Sequence, residues 1–351
     1  MNAAVRHSFP GVREAMLGDA REAAALDAFV REHPHGTPFH LTGWSRAVEA
    51  GCRQRARFLI AGQGARIEGV LPLTEIASPL FGRALVSTGF AVGGGILAAG
   101  PQTELMLADA ARDLAGRLGC PLELRGGPAP GEGWVIDDAT YAGFARRLAA
   151  DDDAELKAIP RKQRAEVRRA LGFDLNIEAG RSARERAVHY AVYAESVRNL
   201  GTPVFPRSLF DYVLNEFGED SDILTISQNG VPISSVLSFY YRGSVMPYWG
   251  GGTRSARGWR ANDLLYFALM RHARARGCTR FDFGRSKVGT GAYAFKKNWG
   301  FDPVQLRYAT LGPGRSINPL DPRYRFQVAL WKHMPLAVAN RIGPIIARGL
   351  G

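Results

Sequence analysis

The spacing of apolar residues along the chain switches between the three- to four-residue period of helices and the two-residue period of strands. In the first half, this spacing predicts helices at 21–32, 43–51 and 103–118. Between and after them, alternating and β-branched segments predict strands at 56–61, 66–76, 121–125 and 141–148. We therefore expect the first half to be a mixed α+β domain, with the strand at 141–148 as its last element.

The second half shows the same mixture of periods. An acidic run at 151–153 favours a helix start, because carboxylates stabilise the positive end of the helix dipole. Helices are predicted at 161–171, 183–199, 207–218 and 291–299, and from a cap at Asn262 or Asp263 to 276. Strands are predicted at 222–228, 231–241, 244–250, 279–284 and 303–311. The second half is thus a second α+β unit.

The two halves repeat one short pattern. In each half a helix ends in Gly-Cys, at 119–120 and at 277–278, and the strand that follows leads into a glycine. A chain of 351 residues is long enough for about two domains. We predict duplicated α+β domains at 1–150 and 151–320, followed by a tail at 321–351. Two unrelated α/β modules are the alternative.

The excess positive charge is confined to the second half. Residues 1–150 hold 15 Lys and Arg against 15 Asp and Glu, so the remaining 30 basic and 18 acidic residues give 151–351 the whole net charge of +12. A basic surface attracts anionic partners such as phosphate-bearing substrates, RNA or anionic lipid. A solvated basic face without a ligand is the alternative.

Composition excludes several classes of protein. With 46% apolar and 22% charged residues, the chain is neither disordered nor a disulfide scaffold, and its three cysteines are too few and too scattered for a paired framework. No histidine or cysteine cluster has the spacing of a metal site. The N-terminal residues lack a signal peptide's apolar segment, and no run reaches the ~18 apolar residues of a membrane span. We expect a cytoplasmic location.

The segment 281–301 holds the residues best suited to chemistry. Asp282 alternates with Phe281 and Phe283, so the carboxylate and the rings take opposite faces of a strand. Arg285 and Lys287 follow at the C-terminal end of this strand, where α/β sheets commonly meet ligands. We predict that both residues bind phosphate.

A short helix after this strand carries Tyr293, Phe295, Lys296 and Lys297. The chain has few lysines, and a lysine, unlike arginine, changes its pKa readily when it is buried. A lysine beside aromatic rings forms cation–π contacts and neutralises an oxyanion or a phosphate. Chance clustering, with the aromatic residues packed in the core, is the alternative.

Several of these stretches resemble a known family. VPISSVLSFYY, SVMPYWGG, FDFGR and FKKNWGF resemble the C-terminal half of the FemAB-like aminoacyl- and acyltransferases, a branch of the GNAT superfamily. More narrowly, IPRKQRAEVRRAL, FDFGRSKVGTGAYAFKKNWGF and the C-terminal tail resemble FemAB members associated with exosortase/PEP-CTERM exopolysaccharide loci. The resemblance implies two tandem GNAT-like domains, each a mixed, mostly antiparallel sheet flanked by helices.

The resemblance also implies catalytic roles. In Fem-type transferases, a lysine that follows a phenylalanine before the last strand steadies the charged intermediate. This pair corresponds to Phe295 and Lys296, with Lys297 as the rival. Asp282 and Tyr293 are implied as groups that orient substrates or relay a proton, and a structural salt bridge is the alternative for Asp282.

The donor stays undecided between acyl-CoA and aminoacyl-tRNA, and we expect no bound cofactor. GNAT enzymes that use acetyl-CoA carry a Gln/Arg-x-x-Gly-x-Gly/Ala loop, which places backbone N–H groups on the pyrophosphate. In the corresponding stretch at 254–263, Ser255 stands at the Gln/Arg position and Arg260 at the last Gly/Ala position. This departure favours aminoacyl-tRNA or another unusual donor.

Further contacts with substrate are predicted outside the 281–301 segment. Tyr248 and Trp249 predict a wall for the acceptor, in a groove between the strands at 231–241 and 244–250, with core packing as the alternative. Phosphate binding is predicted for the basic side chains of the helix at 161–171, with a solvated helix as the alternative; these are Arg161, Lys162, Arg164 and Arg168.

The tail at 321–351 is basic and amphipathic. Such segments lie on anionic membranes, so the tail predicts peripheral contact with the cytoplasmic face of the inner membrane. Packing against its own domain is the alternative.

The resemblance implies a transferase that moves an acyl or aminoacyl group to an amine or hydroxyl of a cell-envelope or exopolysaccharide precursor, and the basic second half favours a precursor that is phosphate-bearing or lipid-linked. The neutral first domain has no FKK segment, so we expect it to be structural or to shape the acceptor site. The alternative is a non-catalytic GNAT-like module that binds an anionic polymer or a membrane surface.

Overall fold

The structure is a computed structural model that describes residues 8–9, 11–64, 66–127, 131–313 and 325–351. The strands are β1 (Ser8–Phe9), β2 (Val12–Glu14), β3 (Arg55–Gln63), β4 (Arg66–Ser78), β5 (Gly82–Ser87), β6 (Leu97–Ala98), β7 (Leu122–Arg125), β8 (Val135–Asp137), β9 (Tyr141–Arg147), β10 (Asn176–Gly180), β11 (Ser221–Gln228), β12 (Val231–Tyr241), β13 (Ser244–Gly252), β14 (Arg280–Lys287), β15 (Pro303–Gln305) and β16 (Tyr308–Leu311). The helices are α1 (Ala20–Glu32), α2 (Thr42–Cys52), α3 (Pro101–Leu118), α4 (Asp152–Ala158), α5 (Arg161–Leu171), α6 (Ala183–Leu200), α7 (Arg207–Phe217), α8 (Ala261–Ala275), α9 (Gly291–Asn298), α10 (Arg325–His333) and α11 (Leu336–Ala347).

The chain divides into two compact units. Unit 1 contains 1–138, 307–317 and 346–351, and unit 2 contains 139–306 and 318–345. The tail predicted at 321–351 is therefore shared between the two units rather than standing apart. Its first residues, among them Arg323, lie outside the described residues.

Unit 1 is built on a mixed sheet in the order β1-β2-β3-β4-β5-β7-β16-β8, and β6 adds to β4. Its neighbouring strands are antiparallel except β5 and β7, which are parallel. The long helix α3 joins β6 to β7 and packs Leu107 and Leu114 into the core beside Leu71 of β4. A left-handed glycine, Gly119 at φ 61°, ends α3 and turns the chain into β7.

Unit 2 is built on a second mixed sheet, in the order β10-β11-β12-β13-β14-β9-β15. Only the β13–β14 pair is parallel, and α8 makes the crossover between these two strands. The side chains of β11 are buried nearly throughout. The predicted fold class, α+β with two mixed, mostly antiparallel sheets flanked by helices, is thus confirmed.

The strand predicted to close the first half belongs to the other sheet. Strand β9 pairs antiparallel with β14 and with β15, all in unit 2. The units therefore meet in sequence between Asp138 and Ala139, rather than at the predicted boundary after residue 150. The periodicity of a segment shows that it is a strand, but not which other strand pairs with that segment.

The single strand predicted at 303–311 is two strands in two sheets. Strand β15 pairs with β9 in unit 2, whereas β16 pairs with β7 and β8 in unit 1. The short link at 306–307 is held at both ends, because the Leu306 N–H donates to the Tyr141 carbonyl and the Arg307 carbonyl accepts from the Gly126 N–H. In the described part of the chain, no helix has the length and apolar character that a bilayer crossing requires.

Candidate functional site

The sheet of unit 2 opens between β13 and β14. These strands pair only at Ser244 with Arg280 and at Val245 with Phe281. Beyond this point, β13 stays with β12 while β14 continues along β9. The two strands therefore diverge, and a wedge opens at the C-terminal end of β13.

A cavity of about 540 Å³ lies at the end of β13. Its walls come from the last residues of α6, the glycines at 250–252, the loop before α8, the first turns of α8, and Phe295 of α9. A volume of this size is typical of a small-molecule site. We take this cavity as the candidate active site.

The glycines at 250–252 let helices approach the strand closely. A Cβ atom on Gly251 would lie 2.1 Å from the Ser196 Oγ of α6, and one on Gly252 would lie 2.6 Å from the Asn262 Oδ1 of α8. Glycine is therefore required at both positions by close approach, and one wall of the cavity is bare backbone.

Polar groups line the start of α8. The Ser234 hydroxyl donates to the Asn262 Oδ1 at 2.6 Å and fixes this side chain at the cavity. Tyr266 lies one turn further along, packed against Phe283 and Phe295, and burial raises its pKa to about 12. Its hydroxyl therefore stays protonated and serves as a hydrogen-bond donor at neutral pH.

The loop before α8 brings positive charge to the cavity. Arg254 and Arg257 line it, both are exposed, and neither forms an ion pair within the described ranges. Arg260 differs, because its guanidinium binds the carboxylate of Glu166 on α5. Two cations at the mouth of the cavity thus remain available to an anionic ligand.

Arg260 also replaces the predicted cap of α8. The helix begins at Ala261, and Arg260 precedes it in the left-handed conformation at φ 52°, so neither Asn262 nor Asp263 is the cap. The Asp263 Oδ1 instead accepts a hydrogen bond from Gln163 of α5 at 2.5 Å, and burial raises the pKa of this carboxyl.

Lys296 points into unit 2, whereas Lys297 is exposed. The Lys296 Nζ donates to the carbonyl oxygen of Arg285 at 2.8 Å and to that of Gly284 at 3.2 Å. It also lies 5.5 Å from the ring centre of Phe144 and 5.6 Å from that of Phe283. Burial lowers the pKa of Lys296 to about 8. These contacts resolve which of the two lysines faces inward.

Asp282 and Tyr293 lie close to Lys296. The Asp282 carboxylate accepts a hydrogen bond from the Gly284 N–H at 2.8 Å, and burial raises its pKa although Lys296 lies near enough to oppose the rise. The Tyr293 ring packs edge-on against Phe144 at 5.2 Å, the same ring that Lys296 approaches. The structure therefore brings the three predicted catalytic residues close to one another, beside the cavity-lining Phe295, although none of the three lines the cavity itself.

The remaining predicted residues of the 281–301 segment divide between two places. Phe295 lines the cavity. Arg285 stacks its guanidinium over the Tyr141 ring at 4.6 Å, and Lys287 ends β14 half-buried beside it. Neither Arg285 nor Lys287 reaches the cavity wall at 250–257, so their predicted binding of phosphate stays a prediction.

Tyr248 and Trp249, predicted as a wall for the acceptor, do not line the cavity. Trp249 is buried against Phe210 of α7 and Phe239 of β12, and Tyr248 packs edge-on against Phe239 and Trp249. Trp249 therefore packs under α7, and Tyr248 packs against the rings of Phe239 and Trp249. The predicted groove between β12 and β13 is also absent, because these strands are paired along their length, with a bulge at Tyr248.

The basic helix α5 turns other residues toward the cavity region. Gln163 and Glu166 contact α8 and its preceding loop, while the Arg164 guanidinium donates to the carbonyls of Ile159 and Lys157. Arg164 is therefore a structural residue at the end of α4. The other basic side chains of this predicted cluster are exposed and do not line the cavity; they are Arg161, Lys162 and Arg168.

Sequence reasoning missed several residues of the cavity. Ser196, Asn199 and Leu200 line it from α6, but helical periodicity shows them only as part of one face. The glycine run at 250–252 was the available signal, because consecutive glycines in a strand indicate close backbone approach. Within the described residues, no group of three or more metal-ligating side chains lies close enough to hold a metal ion.

Comparison with known proteins agrees with this geometry. Residues 156–297 match the family described as the acetyltransferase (GNAT) domain. The structure of FemX has a TM-score of 0.65 and 16% identity, over 82% of this chain and 95% of FemX. No curated protein sequence matches the chain.

Two further solved structures have a similar fold. A C-terminal domain of a putative lysylphosphatidylglycerol synthetase from Agrobacterium fabrum has a TM-score of 0.57 and 13% identity, over 84% of this chain and 92% of that domain. A tandem GNAT protein from the clavulanic acid biosynthesis pathway has a TM-score of 0.54 and 16% identity, over 86% of this chain and 99% of its own. The fold is therefore that of tandem GNAT proteins, as the family resemblance implied.

Proposed function

We propose that this protein is an acyl- or aminoacyltransferase of the FemAB-like type, with its active site in the wedge between β13 and β14. The observation that carries the proposal is the cavity itself. It lies where the strands diverge in the segment that matches the GNAT acetyltransferase domain, and Arg254 and Arg257 stand at its mouth.

The reaction is the transfer of an acyl group from a thioester or an ester. The acceptor nitrogen or oxygen bonds to the carbonyl carbon of the donor, and negative charge develops on the carbonyl oxygen. The bond from that carbon to the leaving sulfur or oxygen then breaks, and the proton of the acceptor passes to the leaving group. Holding both substrates in the cavity supplies much of the rate, because positioning replaces the entropy cost of an encounter in solution.

In this proposal Lys296, the neighbour of the cavity-lining Phe295, supplies positive charge for the oxyanion when substrate reaches beyond Phe295. An ammonium group has three N–H bonds, and two of those on Lys296 are directed at the carbonyls of Gly284 and Arg285. The third remains for a substrate oxygen. The Asp282 carboxylate offsets the cost of burying the charge of Lys296. Tyr293 packs on the Phe144 ring that Lys296 also approaches, and adds a further polar group there.

The donor carries phosphate, as acyl-CoA or as aminoacyl-tRNA. Arg254 and Arg257 are exposed cations beside the start of α8, and such a helix start favours anions. The Arg260 side chain stands where acetyl-CoA-dependent enzymes have Gly or Ala, and it is bound to Glu166. This feature supports aminoacyl-tRNA as the donor.

The acceptor in this proposal is an amine or hydroxyl of a cell-envelope precursor. The sequence resemblance supports an exopolysaccharide precursor of a PEP-CTERM/exosortase system, modified on the cytoplasmic side. We propose a phosphate-bearing or lipid-linked acceptor, with the side chains of α6 that line the cavity as its contacts.

The experiment is thermal unfolding of the full chain with acetyl-CoA, longer acyl-CoAs, aminoacyl-tRNA, deacylated tRNA, UDP-sugars and undecaprenyl diphosphate mimics. A ligand at 100 times its Kd stabilises the folded state by about 2.7 kcal/mol, which gives a measurable shift in Tm. We expect a shift with one donor class that is lost in Arg254→Gln/Arg257→Gln. The shift should be kept in Arg161→Gln/Arg168→Gln, because these two exposed side chains of α5 do not line the cavity.

The outcomes separate the alternatives. A shift with acyl-CoA alone identifies an ordinary acyltransferase, and a shift with aminoacyl-tRNA but not deacylated tRNA identifies an aminoacyltransferase. A shift only with the UDP-sugars or the undecaprenyl diphosphate mimics, and none with any donor, contradicts the proposal and favours the non-catalytic binding module.

A further inference from the structure

The helices α10 and α11 turn large apolar side chains outward. On α10, Phe326 is 76% exposed and Leu330 is 57% exposed. These residues are four apart, so they share one face of the helix. An exposed phenylalanine and leucine on one helix face form a patch that water solvates poorly.

Helix α11 reverses the ordinary orientation of an amphipathic helix. Its small residues face the protein: Ala339 is buried, and a Cβ atom on Gly343 would lie 3.1 Å from the Val204 N. Its large residues Val338, Ile342 and Ile345 are exposed. A helix that packs by its small residues and exposes its branched ones is shaped for a partner on its outer face.

The two helices are fixed in place before any partner binds. The Arg198 guanidinium of α6 donates to the Lys332 carbonyl at 3.1 Å, and Val328 packs against Gly201 at the end of α6. Binding through α10 therefore does not require the helix to fold first, which removes a large entropy cost.

The charge around the apolar residues is positive. Lys332 and Arg341 are exposed, and the sequence from 322 to 351 contains no acidic residue. A second copy of this chain would place like charges against one another. An anionic lipid surface matches both the apolar residues and the surrounding charge.

We propose that α10 and α11 form a membrane-docking surface that lies on anionic lipid, with Phe326, Leu330, Val338, Ile342 and Ile345 entering the interface between headgroups and acyl chains. Lys332 and Arg341 contact the lipid phosphates. The helices lie on the membrane and do not cross it, because no described helix is long and apolar enough to span.

If the proposed function holds, the docking surface also determines how a lipid-linked acceptor reaches the cavity. Helix α6 carries Ser196 and Asn199, which line the cavity, and two residues beyond Ser196 it carries Arg198, which holds α10. A lipid-linked acceptor in the membrane would thus reach the cavity along α6. Docking itself does not depend on catalysis and is tested without it.

The experiment is co-sedimentation of the full chain with vesicles of phosphatidylcholine and phosphatidylglycerol in equal amounts, and with vesicles of phosphatidylcholine alone. We expect binding to the anionic vesicles that weakens as salt is raised. Phe326→Ser/Leu330→Ser and Ile342→Ser/Ile345→Ser should each bind about tenfold more weakly, because each pair removes two inserted side chains. Lys332→Glu/Arg341→Glu should lose the preference for anionic lipid.

The matched control is Val231→Ser/Val304→Ser, which removes two exposed valines of unit 2 far from these helices in sequence. It should bind like the unaltered protein, and circular dichroism should show every variant folded. The proposal is overturned if the unaltered protein stays in the supernatant, or if the helix variants sediment as well as the control. It is also overturned if light scattering shows a dimer that the same substitutions convert to a monomer, which identifies a second copy as the partner.

Discussion

The amino group of Lys296 donates a hydrogen bond to the carbonyl oxygen of Arg285 across 2.8 Å. Its neighbour Lys297 is exposed, with its Nζ 6.0 Å from the centre of the Tyr293 ring. Two adjacent lysines on one helix therefore have different environments. Of the two, Lys296 alone combines burial, backbone acceptors and aromatic rings, so Lys296 is the lysine expected to act in transfer.

The rate of transfer should depend on the charge of Lys296. Its pKa is lowered to about 8, so the ammonium that stabilises an oxyanion is lost above that pH. We expect kcat to fall above about pH 8. In Lys296→Arg this alkaline fall in kcat should disappear, whatever the residual rate, because the guanidinium group stays charged. A rate that instead rises through this range in the unaltered protein, and loses that rise in Lys296→Arg, would identify Lys296 as a base.

The same lysine should make stability depend on pH in the alkaline range. Because burial lowers its pKa from the ordinary 10.5 to about 8, the unfolded chain holds the proton in this interval and the folded chain does not. The free energy of unfolding should therefore rise with pH between about 8 and 10.5 through this group. Urea titrations across this range should show a shallower rise in Lys296→Met than in the unaltered protein.

Much of unit 2 follows from sequence periodicity. Phe281 and Phe283 are buried on one face of β14 while Asp282 takes the other, as alternation along a strand predicts. Trp299 is fully buried against the ring of Phe295, as the four-residue spacing predicts. These features depend only on neighbours along the chain, so a single sequence contains them.

The features that depend on distant partners were not predictable. Strand β9 reads as a strand, but only pairing with β14 places it in unit 2. Trp249 stands at a strand end that looks suited to a ligand, yet Phe210 of α7 covers it. The direction of Lys296 depends on carbonyls of β14 that no local pattern reveals.

Replacing Gly251 with alanine should damage unit 2 through a single contact. The added Cβ would lie 2.1 Å from the Ser196 Oγ and 2.6 Å from the Ser196 Cβ, so α6 must move. We expect a loss of about 1–3 kcal/mol in the free energy of unfolding. Gly116→Ala on α3 is the matched control, because nothing lies within 4 Å of its added Cβ.

A double-mutant cycle checks this contact. Ser196→Gly removes the atoms that collide, so Gly251→Ala should cost less in its presence, with a coupling energy of about 1 kcal/mol or more. Strict additivity of the two free energies would show that α6 and β13 do not meet at this point.

Arg254 and Arg257 should contribute to donor binding more than to chemistry. Both side chains are exposed and line the cavity. The hydrogen bonds of the Lys296 amino group go to Gly284 and Arg285 and involve neither arginine. Arg254→Gln/Arg257→Gln should raise the donor KM with little change in kcat, and should reduce the salt dependence of KM. A fall in kcat at unchanged KM would instead place these arginines at the transition state.

His189 should make unit 2 sensitive to acid. It is buried, one ring nitrogen lies 2.9 Å from the Ser235 Oγ, and burial lowers its pKa to about 3. Between the ordinary histidine pKa of 6.5 and this value, only the unfolded chain takes up the proton, so stability falls as pH falls. His189→Gln should unfold less steeply with acid than the unaltered protein, although it starts less stable. His333→Gln, which removes an exposed histidine of α10, is the matched control for the substitution.

The most direct test of the central claim compares Lys296→Ala with Lys297→Ala in single-turnover transfer, with the donor that the unfolding measurements identify. Both substitutions remove one lysine from the same helix, and circular dichroism and donor-induced shifts in Tm report folding and binding. We expect Lys296→Ala to slow transfer by about 10²–10³-fold while it still binds the donor, and Lys297→Ala to stay within about twofold of the unaltered rate. Equal rates for the two folded variants would contradict the account, because the buried lysine would then be structural only.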